Sequence, residues 1–154
     1  GVLYSNAGAT DKAIEFYEKA LEENPHDKHA YANLGSTLLY KKPKQAKEYL
    51  QKALNIDPEH DIALIELGKI DKSEGNTVAA QVKFRKAYDL YLKQWKTNSL
   101  PKYAYGWFAT VAEGLEENNF AKEIRASAPK TESEAYYNKE NLSMTKTKAL
   151  TNNN

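Results

Sequence analysis

The chain has 154 residues, enough for about one domain, and its 22 Lys and Arg against 21 Asp and Glu give a net charge of +1. That balance argues against a dedicated nucleic-acid binder, which carries a strongly basic face. The sequence has no run of about 18 apolar residues, so it predicts no membrane-spanning segment. The absence of Cys excludes disulfides, thiolate metal sites and a Cys nucleophile.

Small residues recur along the chain at a spacing of 33 or 34 residues. The recurring glycines are Gly1, Gly35 and Gly68, and the recurring alanines are Ala13, Ala46 and Ala80. A bulky side chain follows each of these alanines by four residues, at Tyr17, Leu50 and Phe84. Small residues let two helices approach closely, and bulky residues one turn away fill the space between them. The spacing therefore predicts repeated units, each of a helix, a turn and a second helix.

Proline residues indicate where these helices begin and end. Pro25 and Pro58 follow the second helix of the first two units, because a proline lacks an N–H and stops a helix. Pro43 falls where the second helix of unit two begins, and there its missing N–H costs nothing. The third unit has no closing proline and its apolar stripe continues, which predicts one long helix from about Thr77 to Lys96.

A degenerate fourth unit is predicted after the stop signal Ser99-Leu100-Pro101. Apolar residues recur between residues 104 and 115 with helical spacing, and a second helix is expected at Asn119–Ala128. Arg125 stands where an aromatic residue is expected, and Pro129 ends the unit early. These departures favour a capping role for this unit.

The last 24 residues change in character, and we predict a capping helix and a polar tail for residues 131–154. Thr131 to Glu134 have the pattern of a capping box, which favours a short helix through Leu142. We expect this helix to cover Trp107, and we expect the Asn-rich end to be mobile.

The segment Tyr31-x-x-Leu34-Gly35, followed by Ala46, Leu50, Ala53 and Pro58, resembles a tetratricopeptide repeat. Leu64-x-x-Leu67-Gly68 begins a similar third unit. The resemblance implies an all-α fold, a right-handed α-solenoid of stacked antiparallel helix pairs. The helical repeat domain is expected at 1–130, with units at about 1–27 (partial), 28–60, 61–97 and 99–130 (degenerate).

The first unit lacks half of its first helix, so we expect the chain to begin inside a repeat. No charged and then apolar leader follows Gly1. We expect a soluble protein and favour the cytoplasm, although the sequence does not decide the compartment.

The sequence carries no recognisable catalytic or metal-binding pattern. It has no Gly-rich phosphate loop, no nucleophile elbow and no metal-ligand spacing. His26 and His60 each precede an aspartate in inter-repeat turns, and we interpret both as exposed histidines beside a capping Asp27 or Asp61. We therefore expect no enzyme, no cofactor and no metal.

The resemblance implies that the first helix of each unit lines a concave groove, where family members bind peptides or helices. The residues expected to form the groove are His29, Asn33, Ser36, Tyr40, Ile62, Ile65, Glu66, Lys69, Tyr103 and Trp107. An inward Asn33 offers a peptide backbone one donor and one acceptor. Members that clamp the C-terminal carboxylate of heat-shock chaperones carry Asn at that place. Ile62 and Glu66 stand where those members need Lys and Arg, so this clamp is rejected.

A basic cluster of Lys41, Lys42, Lys44 and Lys47 allows two interpretations, contact with phosphates or a solvated face. It lies in a segment of net charge +3 at residues 28–60, whereas residues 1–27 carry −4. This asymmetry can steer a partner or favour head-to-tail stacking.

The sequence predicts a scaffold or adaptor that binds a peptide or helix of a partner protein, with no nucleic acid and no membrane segment involved. Two alternatives stay open. The first is a self-assembling structural scaffold, a homo-oligomer joined through the C-terminal cap and through apolar residues of the incomplete first unit, Val2, Leu3 and Ile14. The second is a regulatory segment of a larger enzyme.

Overall fold

The computed structural model describes residues 2–129, with side-chain surroundings from residue 8 onward. Within that range the chain forms seven α-helices and no strand, which confirms the expected all-α helical repeat solenoid. The helices are α1 (Val2–Glu23), α2 (Lys28–Leu38), α3 (Pro43–Ile56), α4 (Asp61–Ser73), α5 (Thr77–Lys96), α6 (Ala104–Gly114) and α7 (Asn118–Ser127).

The first unit differs from the expected helix, turn and helix, because α1 runs without a break through Gly8. No proline interrupts residues 2 to 23. A single glycine inside a helix costs only about 1 kcal/mol relative to alanine. The helix therefore continues where the repeat pattern predicted a turn.

The second unit is the pair α2 and α3, and its ends follow the local sequence. Asp27 caps α2 by accepting hydrogen bonds from the N–H groups of His29 and Ala30, at 2.9 and 3.1 Å. Pro43 is in the first turn of α3, as predicted. The two helices approach closely at Gly35, which faces Leu50 and the carbonyl oxygen of Ala46.

The core of this part of the chain joins α2, α3 and α4. The buried residues that form its central cluster are Ala32, Leu50, Ala53, Ala63 and Leu67. A second cluster lies towards α1, where Ile14 and Tyr17 pack against Leu34 and Leu38. The repeated small and bulky columns of the sequence are thus the residues that fill the space between helices.

The chain divides into two compact units, Gly1–Lys83 and Phe84–Asn154, and the boundary falls inside α5. The bounds of α5 are the predicted Thr77 and Lys96. In the first compact unit, α4 ends at Ser73, and Gly75, two residues later, has a φ of 83°, a left-handed conformation that glycine adopts without strain. The predicted extent of the repeat domain, 1–130, stays a prediction.

The second compact unit is built around Phe108, which is fully buried. Its ring centroid lies 5.5 to 6.2 Å from the rings of Tyr88, Tyr91, Trp95 and Phe120. Helix α7 begins one residue before the predicted Asn119, and Arg125, at the place expected for an aromatic residue, pairs with Glu113. The predicted capping helix and tail at 131–154 lie outside the described residues.

Candidate functional site

A surface pocket of about 460 Å³ lies where α2 ends, α3 begins and α4 ends. All of its lining residues belong to the first compact unit. They are Leu39, Tyr40, Pro43, Lys44, Lys47, Lys69, Ile70, Ser73 and Glu74. This cavity is referred to below as the α2–α4 pocket.

The apolar part of the α2–α4 pocket combines fixed residues with one exposed ring. Leu39 and Ile70 are partly buried, because each packs against one of the two core clusters. Tyr40 follows α2 in a turn, and 93% of its surface is exposed. A large aromatic residue at that exposure leaves apolar area that a bound molecule can cover.

The charged part of the α2–α4 pocket has an excess of cations. Lys47 Nζ lies 2.7 Å from Glu74 Oε2, and both side chains remain about half exposed. Lys69 Nζ lies 3.3 Å from Glu66 Oε1, a carboxylate outside the lining. Lys44 is exposed, and within residues 8–129 it forms no ion pair. Three lysines and one carboxylate therefore line the pocket.

The structure brings together some of the predicted site residues and separates others. Tyr40 and Lys69 both line the α2–α4 pocket, together with Lys44 and Lys47 of the predicted basic cluster. The remaining predicted residues of α2 do not line it: His29 is exposed, and Asn33 and Ser36 are half-buried. Ile62 also lies elsewhere, packed partly against the central core cluster.

The expected surface roles of Ile65 and Glu66 are wrong. Ile65 is fully buried, and Glu66 is nearly so. Both belong to an unbroken run of buried residues from Ala63 to Gly68. Six consecutive residues cover more than a full turn of a helix, so α4 is enclosed on all sides there and offers a partner no free face.

Two predicted residues, Tyr103 and Trp107, belong to the second compact unit. Tyr103 is exposed and is the residue that precedes α6, whereas Trp107 is half-buried within α6. Their part in binding a partner stays a prediction.

The structure also pairs two histidines that the sequence did not bring together. His60 Nε2 lies 3.0 Å from His29 Nδ1. His60 is the N-cap residue of α4, where its Nδ1 accepts a hydrogen bond from the N–H of Ala63 at 3.4 Å. Because Nδ1 accepts, this geometry assigns the proton to Nε2, which donates to His29.

The expectation of an exposed His60 beside a capping Asp61 is therefore wrong. His60 is buried and is itself the cap. Its burial lowers the pKa of His60, and the neighbouring Asp61 carboxylate opposes that shift. The neutral imidazole joins the start of α4 to the start of α2.

The described residues show neither a metal site nor a membrane span. Between residues 2 and 129, no group of three or more His, Asp or Glu side chains is placed to hold a metal ion. No helix in that part of the chain has the length and apolar character to cross a membrane.

Comparisons with known proteins agree with the helical repeats of the first compact unit. Residues 1–27 and 29–60 match the family model of the tetratricopeptide repeat. A search of curated proteins found no match. Repeats of this family generally mediate protein–protein interaction or scaffolding, and they are typically non-enzymatic. Residues 1–60 are therefore similar to tetratricopeptide repeats, and the seven helices without a strand among residues 2–129 agree with such an all-α repeat.

Proposed function

We propose that this chain is a non-enzymatic scaffold or adaptor, and that it binds a peptide or helix of a partner protein at the α2–α4 pocket. The observation that carries the proposal is Tyr40, an aromatic side chain with 93% of its surface exposed at the wall of a cavity. Leu39 and Ile70 hold the cavity in place, since both are anchored in the core.

The energy available at Tyr40 is sufficient for a binding contact. Full burial of a large apolar side chain is worth about 1.5–3 kcal/mol. Tyrosine is also one of the residue types that dominate measured binding energies at interfaces. Because the Tyr40 ring is exposed before binding, a partner that covers it gains nearly all of this burial free energy.

The pocket is open at the surface, which suits an extended peptide or one face of a helix. Asn33 is half-buried on α2, the helix that also leads to Tyr40. We propose that its amide contributes to a longer binding surface by pairing with the backbone of a bound peptide.

A capture experiment with matched variants tests the proposal. Tyr40→Ala removes the exposed ring, whereas Val78→Ala trims another exposed apolar residue, 77% accessible and outside the pocket lining. We expect the wild-type chain and Val78→Ala to retain the same partner from native extract, and we expect Tyr40→Ala to lose that partner. Circular dichroism shows whether both variants fold. Equal retention by all three proteins would refute binding at the pocket.

One observation favours the second candidate, self-assembly. Phe16 on α1 is 68% exposed, although it is a large aromatic residue. Ile14, which was expected to be free for such a contact, instead packs partly against the core. Sedimentation at increasing concentration tests this candidate: a dimer that Phe16→Ala abolishes supports it, and a monomer throughout contradicts it.

A further inference from the structure

We propose that the α2–α4 pocket selects an acidic segment of a partner protein, one in which an apolar side chain is flanked by carboxylates. The inference rests on the proposed function, because it names the chemistry of the partner at the same site. It combines two properties of the pocket, the exposed ring of Tyr40 and the unbalanced lysines around it.

The lysines supply the preference for negative charge. Lys44 has no ion-pair partner among the described residues, so a carboxylate approaching it displaces only water. Lys47 is paired with Glu74, but its side chain is 44% exposed, which leaves room for a second carboxylate. Complementary charge raises the association rate and excludes partners of the wrong sign.

The apolar residues supply the second requirement. A purely acidic segment would leave the ring of Tyr40 uncovered, together with the apolar surface of Leu39 and Ile70. The aliphatic stems of Lys44 and Lys47 extend this surface while their ammonium groups stay in water. The fitting ligand therefore places one apolar side chain in the cavity and carboxylates on either side.

A nucleic acid or a second copy of this chain would fit the pocket less well than an acidic segment of a partner protein. A phosphate backbone binds through several cations at once, whereas two of the three lining lysines, Lys47 and Lys69, are already paired with carboxylates. The exposed Phe16 of another copy is flanked on α1 by Lys12 and Lys19, and Lys19 is paired with Glu15 at 2.8 Å. The charge around Phe16 is therefore mixed, and it complements the pocket lysines less well than wholly acidic flanks do.

The test is a peptide array with Phe or Leu fixed at the centre and acidic, amide or basic residues in the flanks. It is probed with the wild-type chain, with Lys44→Glu and with Lys86→Glu. Lys86→Glu is the control, since Lys86 is exposed and lies in the second compact unit, outside the pocket. This substitution changes the net charge by the same amount as Lys44→Glu. Tyr40→Ala identifies which signals arise at the pocket.

We expect the Tyr40-dependent signals to come mainly from peptides with acidic flanks. Lys44→Glu should weaken the best of these by about fivefold, the upper range for an exposed charge pair. Lys86→Glu should leave them unchanged. Higher salt should weaken the acidic peptides most, because it screens exposed charges.

Three outcomes would overturn the inference. If Tyr40-dependent peptides show no acidic preference, the partner chemistry is wrong while the proposed function stands. If no peptide depends on Tyr40, the proposed function fails as well. If the strongest ligand is the chain's own residues 12–23, or a single-stranded oligonucleotide included on the array, the occupant is a second copy or a nucleic acid.

Discussion

The close approach of α2 and α3 at Gly35 allows a sharp prediction of stability. Substitution by alanine would place its Cβ 2.6 Å from Leu50 Cγ and 3.0 Å from the backbone oxygen of Ala46. Carbon atoms in contact normally lie about 3.5–4.0 Å apart. The two helices must therefore separate by about 1 Å, or Leu50 must leave its place in the core.

The net effect of Gly35→Ala follows from two opposing contributions. Overpacking in a well-filled core costs about 1–3 kcal/mol. Alanine in a helix gains up to about 1 kcal/mol over glycine. Gly35→Ala should therefore lower the free energy of unfolding by about 1–2 kcal/mol. The carbonyl of Ala46 cannot turn aside as a side chain can, which puts the expected value towards the upper end.

Urea unfolding followed by circular dichroism measures this change. Gly8→Ala is the matched control, because it lies in α1 with nothing within 4 Å of an added Cβ, and it should be neutral or stabilising. In the double variant Gly35→Ala/Leu50→Ala, the loss should be smaller than the sum of the two single losses, since each relieves the other. A Gly35→Ala protein as stable as wild type would refute the close packing.

Two further predictions concern the contact between His60 and His29 and the buried Tyr88 of the second compact unit. The pKa of His60 in the folded protein is lowered from 6.5, so below pH 6.5 the unfolded chain binds more protons than the folded one. The contribution of His60 to the free energy of unfolding is therefore present above pH 6.5 and is lost as the pH falls below that value. His60→Asn, which keeps a cap acceptor without titrating, should flatten the dependence measured by urea midpoints; an unchanged slope would contradict the assignment. Tyr88 donates a hydrogen bond of 2.7 Å to Glu117, so Tyr88→Phe should lower the free energy of unfolding, measured by thermal denaturation, by about 1–2 kcal/mol. An unchanged free energy of unfolding would show that this bond contributes nothing.

Much of the fold follows from the sequence because close helix packing demands particular residue sizes at particular spacings. Pro43 and the uninterrupted apolar stripe gave the start of α3 and the full length of α5. The continuity of α1 was missed, since one glycine is too weak a signal to decide between a turn and a helix.

The repeat spacing did contain a signal for the capping role of His60, but His60 was aligned one residue away from its true counterpart. The 33-residue spacing from Gly35 to Gly68 places His60 at the position of Asp27, the N-cap of α2. Aligning His60 with His26 instead hid this equivalence. The contact with His29 depends on how α4 packs beside α2, which local sequence does not encode.

The candidate site was predicted in separate parts. Tyr40 was expected on the groove and Lys44 and Lys47 in a basic cluster, and the structure shows that they line one cavity. Their meeting depends on the turn between α2 and α3, whose path the repeat pattern leaves undefined. Ile65 was misplaced because helical periodicity gives a direction around α4 but not how many neighbours enclose it.

The central claim is that a partner segment contacts the α2–α4 pocket, and amide chemical-shift mapping tests it most directly. A peptide with a central Phe and acidic flanks, chosen from the array, is titrated into the isotope-labelled chain. We predict the largest shifts at Leu39, Tyr40 and Ile70, saturating together and absent in Tyr40→Ala. Shifts confined to α1 or to the exposed face around Val78, with the pocket amides unmoved, would contradict the claim.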